Sequence, residues 1–131
     1  MMDDFNKDVK LRDEIIFGEY IPYVRGCGGI RSFDGMTVDT LKKLVELKFA
    51  DPDERQNDSP KIREFIEFME NHKGYTVNGY AVALHREDYR VSVDAIQHTG
   101  KLEDGKELAQ FATFCKNSDE FDPEEGYAWW D

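Results

Sequence analysis

What this chain of 131 residues lacks narrows its class before any residue is singled out. No apolar run approaches the roughly 18–20 residues that cross a bilayer. The opening Met1-Met2-Asp3-Asp4-Phe5-Asn6-Lys7 has no basic-then-apolar order of the kind a secretory signal shows. Cysteine is nearly missing: Cys27 and Cys115 stand far apart, which without an export signal points to reduced thiols in a cytoplasmic protein. There is no visible internal repeat. Base is wholly absent from residues 117–131, where Asp119, Glu120, Asp122, Glu124, Glu125 and Asp131 follow one another without a lysine or arginine.

Large apolar side chains are plentiful. Apolar residues make up 40% and aromatics 13%, too much for a disordered chain even at a net charge of −11. The length suits one domain, 1–131, with one hydrophobic core. The charge argues against direct binding of nucleic acid or anionic membrane, both of which need Lys/Arg surfaces. It favours basic partners and also serves solubility. The excess is uneven: residues 1–50 carry nine acids against eight bases and 76–116 six against five, so more than half of it sits in the tail. Mutual repulsion predicts a solvated, mobile segment over 117–126. A second focus is Asp51, Asp53, Glu54 and Asp58, relieved only by Arg55.

Apolar spacing predicts the elements. Phe5, Val9 and Ile16, with Leu11 and Ile15 adjoining, place a first helix over 4–17. Pro22, the glycines around Cys27 and Asp34-Gly35 make 22–36 a loop or a pair of short extended pieces. Thr37 or Asp39 caps a second helix carrying Val38, Leu41, Leu44 and Val45. Ser59-Pro60 opens a third, with Ile62, Phe65, Ile66 and Met69 in one stripe and Lys73-Gly74 at its end. Residues 75–84 and 89–96 read as an antiparallel hairpin turning at His85-Arg86-Glu87-Asp88, with Gly79 marking a bulge or a close backbone approach. Leu108, Phe111, Ala112 and Cys115 define a last helix, and Tyr127-Ala128-Trp129-Trp130 a closing strand with one Trp in the core and one at its rim. The class is α+β, in the rough order ααα-ββ-α-β, with helices on one face of a small antiparallel sheet.

Most catalytic readings fail on spacing. A calcium loop counted from Asp51 would put Gln56 where glycine is needed and Ile62 where a bidentate Glu belongs. Gly26, Gly28 and Gly29 fit no G-x-G-x-x-G register and no Walker lysine follows. Cys27 could be a nucleophile if Arg25 or Arg31 lowered its pKa, with His72, His85 or His98 as base, but no spacing selects one. No His-x-x-x-His pattern marks a metal site, so neither metal nor cofactor is expected. Arg86 and Arg90 flank Asp88 beside Tyr89; they read as an ion-paired brace of the turn or as a guanidinium pair for an anionic ligand.

Three segments, Asp51-Pro52-Asp53 with Asn57-Asp58-Ser59-Pro60, Gly79-Tyr80-Ala81-Val82 with Arg86 and Asp88-Tyr89-Arg90-Val91, and Trp129-Trp130-Asp131, resemble a family of small bacterial and phage-borne proteins of unknown function. The resemblance covers the C-terminal two thirds, implies no activity and suggests a mobile-element setting. The reading that follows is a non-enzymatic binding protein or inhibitor whose carboxylates at 119–125 and 51–58 dock on a basic, nucleic-acid-binding protein, as small acidic anti-CRISPR and immunity proteins do. The alternative is a small-ligand binder or hydrolase built on Arg86, Tyr89 and Arg90.

Overall fold

A computed structural model describes residues 4–22 and 28–131. Among these residues nine elements follow one another: α1 (Val9–Phe17), β1 (Ile30–Met36), α2 (Val38–Glu46), α3 (Ile62–Asn71), β2 (Tyr75–Val82), β3 (Val91–His98), α4 (Gly105–Phe114), β4 (Glu120–Asp122) and β5 (Tyr127–Trp129). The class is α+β, as the patterning predicts. The strands form one antiparallel sheet in the order β1-β2-β3-β5-β4. β1 comes from the stretch read as loop or short extended pieces, and β4 from inside the acidic segment. Among the described residues no helix is long and apolar enough to cross a membrane.

Local chemistry sets the helix starts. The Thr37 hydroxyl accepts from Thr40 N at 3.3 Å and so caps α2. Ser59 does not cap α3: its hydroxyl accepts from Gln56 N at 2.8 Å and donates to the Pro60 carbonyl at 2.9 Å. The helix therefore begins two residues later than Pro60, where Glu64 reaches back to accept from Lys61 N at 2.9 Å.

The core lies between the helices and one face of the sheet. Leu41, Leu44, Phe65, Val77, Val91, Ile96 and Phe111 are essentially sealed from solvent. Cys115 joins them, and burial pushes its thiol up to about 12, which makes it an inert core residue. Trp130 packs edge-on against Phe65 at 5.6 Å while Trp129 stays half-exposed. Gly79 marks both features its sequence position suggests. The β2–β3 register shifts beside it, and a Cβ there would sit 1.9 Å from the Ser92 carbonyl oxygen.

α1 departs from its apolar reading. Arg12 and Asp13 are its fully buried residues, while Leu11 is exposed. The guanidinium donates to Asp13 Oδ1 at 2.9 Å and to the Val82 carbonyl at 2.8 Å, and its Cζ lies 4.8 Å from the centre of the Tyr89 ring. Pairing of this kind lets a charge enter the interior.

Candidate functional site

Two of the three sets of charged residues singled out in the sequence, the 51–58 acids other than Asp58 and the 86–90 turn, meet in one cleft. A cavity of about 780 Å³ opens between residues 5–7, the 51–57 connection from α2 to α3, and the 86–90 turn from β2 to β3. Its lining includes Asp51, Asp53, Glu54, Arg86, Tyr89 and Arg90, and adds Phe5, Lys7, Arg55, Gln56, Asn57, Glu87 and Asp88.

Asp88 binds both arginines of the turn. Arg86 grips it with two parallel bonds, Nε to Oδ1 at 2.8 Å and Nη2 to Oδ2 at 3.0 Å. Its Nη1 donates to the Gly28 carbonyl. Arg90 Nη1 donates to the Asp88 carbonyl at 3.0 Å and to Oδ2 at 3.2 Å, and its Nη2 donates to the Tyr80 hydroxyl at 3.0 Å. The Arg86 hydrogen bonds, joined by those of Arg90, hold the Asp88 carboxyl below its usual range. The brace is thus present and leaves few guanidinium donors for a ligand. Tyr89 is buried, and its hydroxyl donates to the Asn6 carbonyl at 2.7 Å, so it anchors the N-terminal segment.

The acids of the 51–58 connection are mostly consumed by the fold. Asp51 is buried and accepts from Asp53 N at 2.9 Å in a local turn. Asp53 pairs with Arg63 at 2.6 Å. Glu54 accepts from the Ser92 hydroxyl at 2.9 Å and lies 3.7 Å from Arg90 Nε; burial pushes its carboxyl up against both of these influences. Only Asp58 is exposed without an ion pair among the described residues. Beneath them Gln56 Oε1 accepts from the Tyr80 hydroxyl at 3.1 Å. Tyr80 and Ser92 can serve this loop because they are cross-strand partners and so share a sheet face.

The acidic tail is different. Asp119, Glu120, Asp122, Glu124 and Glu125 are exposed and none makes an ion pair among the described residues. Two of them have local work: Asp119 Oδ2 accepts from Asp131 N at 2.8 Å and Asp122 Oδ1 from Glu125 N at 3.3 Å. Registers place Glu120, Trp129, Ala95 and Asn78 in one row, and Asp122, Tyr127, Gln97 and Thr76 in the next. Both rows lie on the face opposite Phe121, Ala128, Ile96 and Val77, which look toward the core. Glu124 falls in the turn that joins β4 to β5, so the strand alternation holds only for Glu120 and Asp122. Asn57 donates to the main-chain carbonyl of Asp131, which ties the loop to the end of the tail.

Sequence reasoning missed Phe5, Lys7 and Gln56 as cleft residues; they lie on connections, where no periodicity reports direction. It also missed a cluster at the far end of the molecule. His72 Nδ1 lies 3.0 Å from both Glu107 oxygens, and the Tyr75 hydroxyl donates to Glu107 Oε2 at 2.8 Å. Burial, with the Glu107 carboxylate, pushes the Tyr75 hydroxyl up. Cys27 and Arg25 lie outside the described residues, and no group of three metal-binding side chains occurs among those described. Compared with protein-family models, curated proteins and solved structures, the chain matches none.

Proposed function

We propose that this is a non-enzymatic cytoplasmic binding protein that applies the outer face of its β4–β5 hairpin to a basic protein, one whose own surface is built for nucleic acid. One observation carries the reading: Glu120 and Asp122, without counter-ions among the described residues, stand beside partly buried Tyr127 and Trp129 on the same sheet face. Aromatic side chains at the centre of an interface supply desolvated area, and charges around them steer encounter and fix orientation. Alternate side chains along a strand stand about 6–7 Å apart, which suits Glu120 and Asp122 to positions where a basic surface would hold successive phosphates. Asp51, Asp53 and Glu54 drop out of this docking set, because their charges are buried or paired. An inhibitor acting in a mobile-element setting, as the sequence resemblance implies, belongs to the same proposal.

The test is capture from lysate on the immobilised chain at low salt, with release by salt, repeated with Glu120→Gln, Glu124→Gln and Glu125→Gln combined. These three are chosen because Asp119 and Asp122 brace the hairpin. The expected result is a basic, nucleic-acid-binding protein released as ionic strength rises toward about 0.5 M, where the screening length is a few ångströms, and lost from the triple variant. Undiminished capture by that variant refutes the proposal.

A further inference from the structure

We propose that the cleft beneath the 86–90 turn binds a small organic anion, a carboxylate or phosphate monoester on a flat apolar body, with Lys7 and Arg55 taking the anionic group. The cavity of about 780 Å³ lies within the range of small-molecule sites, roughly 300–1,000 Å³. The exposed charges of its lining that have no ion pair among the described residues give the sign of the ligand. Asp53 is neutralised by Arg63, which is not part of the lining. Asp88 is shared between Arg86 and Arg90, and Arg90 also faces Glu54, so these two arginines and two carboxylates cancel. Asp51 is buried, and Glu54 is held by Ser92 and Arg90. Among the exposed residues of the lining that leaves Lys7 and Arg55, with no carboxylate partner among the described residues, against Glu87, which has no ion pair among them either.

The net charge of −11 repels anions at long range, but at physiological salt the screening length is about 8 Å, so the groups of the lining decide. Phe5, half-buried and edge to face with the buried Tyr89 at 6.1 Å, supplies apolar surface for the body of the ligand. Lys7 Nζ sits over the Tyr89 ring, 4.8 Å from its centre, which holds its charge beside Phe5 and Tyr89. Gln56, its oxygen taken by Tyr80, keeps its amide N–H groups for the ligand.

The experiment is calorimetric titration of the whole chain with phenyl phosphate, benzoate and inorganic phosphate. Saturable binding of phenyl phosphate, of benzoate or of both is expected with Kd below about 1 mM, and which of them binds names the anionic group. Inorganic phosphate, lacking an apolar body, is expected to bind about tenfold more weakly or worse. Lys7→Ala with Arg55→Ala weakens the organic anion about tenfold or more, whereas Lys7→Arg with Arg55→Lys keeps it within about threefold. Both positions are exposed, so these variants test the site without testing the fold. The proposal is overturned if neither organic anion saturates the wild-type chain, or if the double alanine variant binds as the wild type does.

Discussion

The two acidic stretches of this protein look alike as sequence and differ as structure. Asp51, Asp53, Glu54 and Asp58 crowd eight positions, and Asp119, Glu120, Asp122, Glu124 and Glu125 crowd seven. In the first, Arg63 from α3, Arg90 from the 86–90 turn and Ser92 from β3 meet the carboxylates. In the second, no base arrives among the described residues, and the side chains stand on an edge strand, just before it and in its turn. Charge density along a chain therefore does not say whether the charge is available. Availability depends on which elements the topology brings alongside. Charged side chains on a short edge strand also deter edge-to-edge association, so the bare tail guards the sheet as well as presenting a surface.

The strongest way to break the contrast is to remove the platform that serves the loop. Gly79 lets β2 approach the Ser92 carbonyl so closely that a Cβ would lie 1.9 Å from it. The obstacle is backbone, which cannot swing aside. Gly79→Ala is expected to cost about 3 kcal/mol or more and to displace Ser92 from Glu54. A urea titration checks the first, and loss of the Ser92 hydroxyl–Glu54 hydrogen bond in spectra or a crystal structure checks the second. If the variant is as stable as the parent, the bulge is not the platform described.

Much of this fold was legible in the sequence, and the exceptions share a cause. The stripes of α2, α3 and α4, the β2–β3 hairpin, the buried Cys115 and the division of labour between Trp129 and Trp130 follow from local periodicity and side-chain size. The buried Arg12–Asp13 pair does not, because periodicity ranks residues by type and cannot see that Val82 and Tyr89 will be waiting for a guanidinium. β4 was hidden for a related reason. Like charges favour solvation, and all three residues of β4 do stay exposed; what makes them a strand is pairing with β5, with the Phe121 ring 5.7 Å from that of Phe111. The cleft was half legible: the 86–90 turn and the 51–58 acids were both marked, but that they face each other is a tertiary fact separated by some thirty residues of chain. That Asp53 and Glu54 have ion-pair partners was hidden at the same point, since those partners come from α3 and the 86–90 turn.

A gentler perturbation reads the state of the loop through pH. Burial raises the Glu54 carboxyl above its ordinary value of 4.5. A raised carboxyl binds its proton more tightly in the folded chain, so its contribution to stability is complete below the unfolded value and is lost as pH rises through the folded one. Glu54→Gln removes that dependence. At neutral pH the variant escapes the cost of burying a carboxylate but loses the attraction to Arg90, and the balance of burial over pairing favours the glutamine by on the order of 1 kcal/mol. The advantage over wild type should shrink as pH falls through the raised value toward 4.5. Urea midpoints of both chains between acid and neutral pH measure it. An advantage that instead grows on acidification would mean that Arg90 and Ser92, not burial, set the state of Glu54.

The smallest effect on stability is expected where the charge is densest. Glu120, Glu124 and Glu125 are exposed, pair with no base among the described residues, and repel one another within six positions. Their replacement by glutamine removes repulsion and no hydrogen bond to any of their carboxylates, so the folded chain should change by about 0.5 kcal/mol or less, toward greater stability. The gain should vanish in high salt, because screening already removes the repulsion there. Comparable urea titrations at low and high salt test this directly. A marked loss of stability would reveal internal partners for these carboxylates and erase the difference between the two acidic regions. A small gain at low salt leaves the tail as charge held on the surface for something other than the fold.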